Sequence, residues 1–129
     1  MKDCVFCKII NGEFSSYKLY EDDKVMAFLD ITPMSYGHTL IVPKEHYKDY
    51  TDIPLEVLTH INKVGKELYD KLNEKLEPTG IQLVQNNGIL QEVKHYHLHL
   101  IPFYCKERND KTDKPGKDDF EKVLKTIME

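Results

Sequence analysis

The sequence predicts an α+β fold: an antiparallel sheet of about five strands with one long helix packed on it. Three observations carry this expectation. Between residues 54 and 76, apolar residues recur at Leu55, Leu58, Ile61, Val64, Leu68, Leu72 and Leu76, the three-and-four spacing of a helix with one buried face. On either side lie short apolar or alternating runs bounded by Gly, Pro, Asn and Asp, as strands are. The length, 129 residues, suits one domain.

Each element has a local reason. Residues 4–10 read as a short helix stopped at Asn11-Gly12. Residues 17–20 alternate weakly, Glu21-Asp22-Asp23 turns, and residues 24–30 form a strand that closes a hairpin with the first. Pro33 to Gly37 is turn material before a buried strand over 39–42, ended by Pro43. In the long helix Pro54 fits the first turn, Asp52 offers a cap, and Gly65 costs about 1 kcal/mol relative to Ala. Pro78 and Gly80 end it. Residues 81–85 make a strand, Asn86-Asn87-Gly88 a tight turn, and residues 93–104 the longest strand. Residues 106–117 are almost all charged or polar and read as a loop or arm, and Phe120, Val123, Leu124 and Ile127 line one face of a terminal helix. The expected organisation is a domain over 1–105 with a charged arm and short helix over 106–129, without repeats.

Composition narrows the function. Forty per cent of residues are hydrophobic and 31% charged, and 18 Lys and Arg against 22 Asp and Glu leave a net charge of −4. That balance speaks against broad binding to nucleic acid or to anionic membranes. No apolar run approaches the roughly 20 residues of a membrane span, and no apolar leader core follows Met1. A cytoplasmic protein is expected. Of three cysteines, Cys105 reads as a free thiol, while Cys4 and Cys7 form a C-x-x-C that suits a metal site, a redox pair or chance.

The informative segment is His95-Tyr96-His97-Leu98-His99-Leu100-Ile101. Read as a strand, it projects three imidazoles from one face, about 6.6–7 Å apart, while Tyr96, Leu98 and Leu100 cover a core on the other. One histidine there would be a solvent-facing residue. Three in alternation, from six in the chain, form a site that binds metal, binds phosphate or attacks it.

These residues match the H-φ-H-φ-H-φ-φ signature of the histidine triad (HIT) family, and the chain resembles that family elsewhere, in the same order. The similar segments are residues 4–13, residues 27–31, Gly37-His38-Thr39-Leu40, Pro43-Lys44-Glu45-His46, Asn86-Asn87-Gly88 and Gln91. The resemblance implies a HIT-like fold, a homodimer, and cleavage at the α-phosphate of a purine nucleotide, most simply an adenosine phosphoramidate or another adenylylated compound. It implies His97 as the nucleophile that forms a nucleotidyl-histidine, with His99 and Gln91 assisting at the phosphate. Substrate contacts are implied for Asp30, Ile31, His38, Asn86, Gln91 and His99. It further implies a structural zinc held by Cys4, Cys7, His46 and His95, a closed four-ligand set. His60 has no such company and is expected at a boundary.

The sequence departs from the family pattern before the triad. Glu92 stands where a small hydroxyl residue is common, Lys94 replaces an aromatic residue, and the loop over 88–91 is shorter. On strand parity, 92 and 94 face away from the histidines, so Glu92 is expected to pair with Lys94 and stay out of the chemistry. Cleavage of dinucleoside polyphosphates, a nucleotide-binding interaction module with little activity, and an unrelated metal protein using all three strand histidines are the alternatives.

Overall fold

The computed structural model describes residues 3–105 and 119–129. Its elements, in chain order, are α1 (Val5–Ile10), β1 (Lys18–Glu21), β2 (Val25–Leu29), β3 (Thr39–Pro43), α2 (Leu55–Leu76), β4 (Gly80–Val84), β5 (Leu98–Phe103) and α3 (Phe120–Met128), with a 3₁₀ turn at Gly88–Leu90. The five strands form one sheet in the order β1-β2-β3-β5-β4, every neighbouring pair antiparallel. The expected loop over 106–117 lies outside the described residues.

The sheet is covered unequally, and that inequality makes room for a site. On one face Val25, Ala27, Leu29, Ile41, Leu98 and Leu100 pack against Ile61, Val64, Leu68, Leu72 and Leu76 of α2 and against α3. Each such side chain contributes about 1.5–3 kcal/mol by leaving water, so this layer carries most of the stability. Gly65 is not required by packing: a β-carbon there would meet Ile41 and Leu98 at 3.6 Å, ordinary contact. On the other face Met26, Phe28, Leu40 and Val42 cluster with Phe6 of the short helix α1. A six-residue helix cannot cover a five-stranded sheet, and the uncovered part is a cleft.

Two tight turns need glycine. Gly12 (φ +84°) closes α1 in the left-handed conformation expected of it. Gly37 (φ +86°) leads into β3, and a β-carbon there would lie 2.5 Å from Leu76 Cδ1. Ser35 Oγ donates to the Pro102 carbonyl at 2.5 Å and the Tyr104 hydroxyl to the Tyr36 carbonyl at 2.8 Å, tying this turn to β5.

Several local expectations give way to tertiary contacts. The Asp52 carboxylate does not cap α2; it accepts from the backbone N–H groups of Lys48 and Asp49, both at 2.9 Å, and Pro54 stands at the cap without a side-chain bond. Leu55, though on the apolar stripe, is 77% exposed because the first turn of α2 overhangs the sheet. Asn86-Asn87-Gly88 does not make a tight hairpin: residues 85–97 join β4 to β5 through the 3₁₀ turn. The longest expected strand is shortened at its start to Leu98, since pairing with β3 ends at Ile41 and pairing with β4 at Val84. His60, half-buried, is better partnered than expected: its Nε2–H donates to Asp22 Oδ2 at 2.7 Å. Burial alone would raise the Asp22 carboxyl, but bonds from Tyr20, His60 and the Lys24 and Val25 N–H groups hold it well below the usual range.

Candidate active site

Strand parity assembles the cleft. Met26 and Phe28 face α1, so Asp30, just past the end of β2, continues on that side. Leu40 and Val42 face the same way, which brings His38 there at the start of β3. Leu40 pairs with His99, placing that ring on the same face of β5. His95 and His97 precede the ladder rather than standing in it, a correction to the single histidine strand. They still lie opposite Tyr96, Leu98 and Leu100, which fill the α2 core as expected.

The backbone fixes the tautomers of His97, His95 and His38, and His38 that of His99. His97 Nδ1–H donates to the His95 carbonyl at 2.7 Å, so its Nε2 holds a lone pair. His95 Nε2–H donates to the Pro43 carbonyl at 2.8 Å, leaving Nδ1 as the lone-pair atom. The Met34 N–H donates to His38 Nδ1 at 3.0 Å, so His38 Nε2 carries hydrogen and donates to His99 Nδ1 at 2.9 Å. His99 is left with an Nε2–H to offer. The rings of His97 and His99 stand 4.8 Å apart, and the edge of Phe6 packs on both His97 and His95.

These rings are neutral at pH 7. Burial pushes His99 down to about 4, helped by His97 and His38 and opposed by Asp30. Burial likewise lowers His38, against the pull of Asp30. It lowers His97 too, against the bond to the His95 carbonyl and the charges of Asp30 and Glu92. The Asp30 Oδ1 atom accepts from the Thr32 N–H at 2.9 Å and from its hydroxyl at 3.0 Å, while Oδ2 lies 3.5 Å from His38 Nε2.

Two cavities meet at His97, His99, Asp30 and Glu92. The larger, about 620 Å³, has an apolar wall of Phe6, Phe14, Phe28, Leu40 and Val93, with Ile31 at its rim. The smaller, about 390 Å³, adds His38, Asn86 and Leu90. Gln91 lines neither: it is buried, its Nε2 donates to the Lys48 carbonyl at 2.7 Å, and its Oε1 has no hydrogen-bond partner among the described residues. Glu92 overturns the parity expectation, since residues 91–97 are not a strand and alternation does not carry back beyond His95. Nor does it pair with Lys94, whose Nζ donates to the Gly88 carbonyl.

Behind His95, Cys4, Cys7 and His46 gather so that four donor atoms lie within 4.8 Å of one another. Cys4 Sγ is 3.4 Å and Cys7 Sγ 3.6 Å from His95 Nδ1, Cys7 Sγ is 3.3 Å from His46 Nδ1, and the two Nδ1 atoms are 3.1 Å apart. Bonds of about 2.0–2.3 Å to a tetrahedral ion give edges of this size. The lone pair of His95 Nδ1, freed by the Pro43 bond, faces the gap, and Cys4 Sγ also caps α1 by accepting from the Cys7 N–H. Burial and the neighbouring Cys4 push the Cys7 thiol up to about 11, a cost that a divalent cation would remove. The four residues fit a metal ion. Asp30, His38 and His99 also cluster, but His38 Nε2 carries hydrogen and has no lone pair for a metal.

The sequence missed the wall supplied by α1, the Met34 N–H on His38 and the inward position of Glu92. Only the first left a signal: Phe6 and Ile9 form an apolar edge on a helix too short to need one.

A five-stranded antiparallel sheet with this histidine cluster at the ends of its central strands defines a HIT-domain protein, and the chain belongs to the histidine triad (HIT) family: residues 11–105 match the HIT domain. The chain is 44% identical over 129 residues to an uncharacterized HIT-like protein of Methanocaldococcus jannaschii, covering 96% of this chain and 98% of that one. It is 46% identical over 105 residues to an adenosine 5′-monophosphoramidase of Candida albicans, covering 77% and 69%. A Zn-bound histidine triad family protein from Mycobacterium smegmatis superposes with a TM-score of 0.83 at 32% identity, over 98% and 94% of the two chains.

The depressed histidines make stability pH-dependent. The folded state binds fewer protons than the unfolded chain between about pH 6.5 and pH 4, so stability present at pH 7 is lost as pH falls through that window. The His99 share is about 3 kcal/mol for a fully buried ring and about 2 kcal/mol once solvent screening of this partly exposed one is allowed for. Urea unfolding from pH 7 to pH 4 is expected to show a shallower slope in His99→Asn; an unchanged slope would remove His99 from the account.

Proposed function

We propose that the protein cleaves purine nucleotide phosphoramidates or adenylylated compounds at the α-phosphate through a nucleotidyl-histidine intermediate on His97. The observation that carries this reading is the bond from His97 Nδ1–H to the His95 carbonyl, which leaves a neutral Nε2 lone pair where the two cavities join. The purine lies in the apolar cavity behind Phe6 and Phe28, and the Asp30 carboxylate, beside Ile31, accepts from ribose hydroxyls. His97 Nε2 attacks phosphorus, the leaving group departs with the electron pair of its bond and takes a proton from water, and a second water then cleaves the N–P bond, freeing His97. His99 Nε2–H, held outward by His38, donates to a phosphate oxygen through both steps. Asn86 borders the leaving-group side, whereas the Gln91 amide is engaged with Lys48. The Candida relative's name supports an adenosine phosphoramidate as the first substrate to try.

His97→Ala is expected to abolish AMP release from adenosine 5′-phosphoramidate, by more than about a thousandfold, while circular dichroism and metal content stay near wild type. Full activity in the purified variant would end this mechanism.

We also infer that Cys4, Cys7, His46 and His95 hold one structural zinc, in keeping with the Zn-bound relative from Mycobacterium smegmatis. Its chemistry is to hold both thiolates deprotonated and join α1 to the chain before the triad. Two copies are proposed to pair through the edge strand β4, whose Leu83 is 52% exposed. A cytoplasmic location fits the reducing conditions that two thiolates need.

Metal analysis of protein purified without chelators should find one zinc per chain. Cys4→Ala should lower both zinc content and melting temperature more than it lowers the rate per folded molecule. Substoichiometric zinc in the wild type would count against the site.

A further inference from the structure

One side chain at the junction of the two cavities has no part in the mechanism above. Glu92 lines both, together with Asp30, Thr32, His97 and His99. Lys94, its basic neighbour in sequence, donates to the Gly88 carbonyl. Among the described residues Glu92 makes no ion pair. Its carboxylate stands at the junction of the two cavities, which His97 also lines.

Among the described residues the fixed charges around the junction all have one sign. Among the described residues the two cavities are lined by the carboxylates of Glu13, Asp30 and Glu92 and by neither lysine nor arginine. The histidines are neutral, so they offer N–H dipoles rather than positive charge. Such dipoles can hold one phosphate. A second anion beyond it, on the side of Glu92, meets the carboxylates of Asp30 and Glu92 and, among the described residues, no cation. An ammonium at the same place meets the opposite field, strengthened because the cleft holds less water than bulk solvent does.

We propose that Glu92 selects the leaving group by charge, favouring one that carries a positive charge, such as an amine with a second, distal ammonium, and rejecting anionic ones such as a nucleotide. The proposal rests on the phosphoramidase reading and names its leaving-group class. One carboxylate supplies both the attraction and the repulsion on which discrimination depends. It makes and breaks no bond.

The test uses three AMP amides: one made from 1,4-diaminobutane (cationic end), one from butylamine (neutral) and one from 4-aminobutyrate (anionic). Wild-type kcat/KM should fall in that order, with at least a hundredfold between the ends. Glu92→Gln should compress the ratio to about fivefold or less, and Glu92→Lys should reverse it. A ratio unchanged in Glu92→Gln, or equal losses on all three amides, would overturn the proposal. The non-cleavable adenosine 5′-alkylphosphonates with the same three ends separate the two readings. If wild type cleaves none of the amides, the phosphoramidase reading fails, and calorimetric affinities for the phosphonates in wild type and Glu92→Gln still decide the charge selection.

Discussion

The hydrogen bond from His97 Nδ1 to the carbonyl of His95 is the constraint on which the site depends. A free imidazole divides its single hydrogen between two nitrogens, and only a ring that keeps it on Nδ1 can attack through Nε2. A side-chain partner could rotate or titrate; a main-chain carbonyl two residues back can do neither. The same device recurs across the cleft. The Pro43 carbonyl sets His95, the Met34 N–H sets His38, and His38 then sets His99. Four imidazoles receive four definite roles, and no role requires a charged ring.

These bonds are available because the chain is irregular just before β5. In a regular ladder the carbonyl of a residue points to the neighbouring strand, and so would that of His95. Pairing with β3 stops at Ile41 and pairing with β4 at Val84, so the main chain of 91–97 turns to other partners. Tyr96 N–H donates to the Tyr47 carbonyl at 2.7 Å, and His95 and His97 on either side of it open toward the cysteine cluster and the cleft. The cleft itself follows from layer arithmetic. The long α2 and α3 seal one sheet face, α1 covers only part of the other, and the remainder is large enough for a nucleotide.

Most of the fold was legible in the sequence because its signals are local. The spacing of Ile61, Val64, Leu68 and Leu72 states a helix, and the runs at 25–29 and 39–43 state strands without reference to anything distant. The site was legible in part. Alternation around Leu98 correctly separated the histidines from the core, since a residue's face depends on its immediate neighbours. The grouping of residues 4 and 7 with 46 and 95 is beyond any periodicity and came only from resemblance. Glu92 was misread because parity was extended past the end of the strand, and that end is set by where β3 and β4 stop. Asp52 was misread for a similar reason: a cap competes with nearby backbone donors, and Lys48 and Asp49 won.

His95 serves the site twice, by two separate parts of one residue. Its imidazole faces the two cysteines and His46, and its carbonyl orients the ring of His97. Every amino acid has a carbonyl, so the second task is indifferent to the side chain. A substitution of the His95 side chain that keeps the packing against Phe6 therefore leaves the bond that sets the His97 tautomer in place. The cysteine and histidine cluster and the cleft touch in space yet draw on different atoms of the same residue.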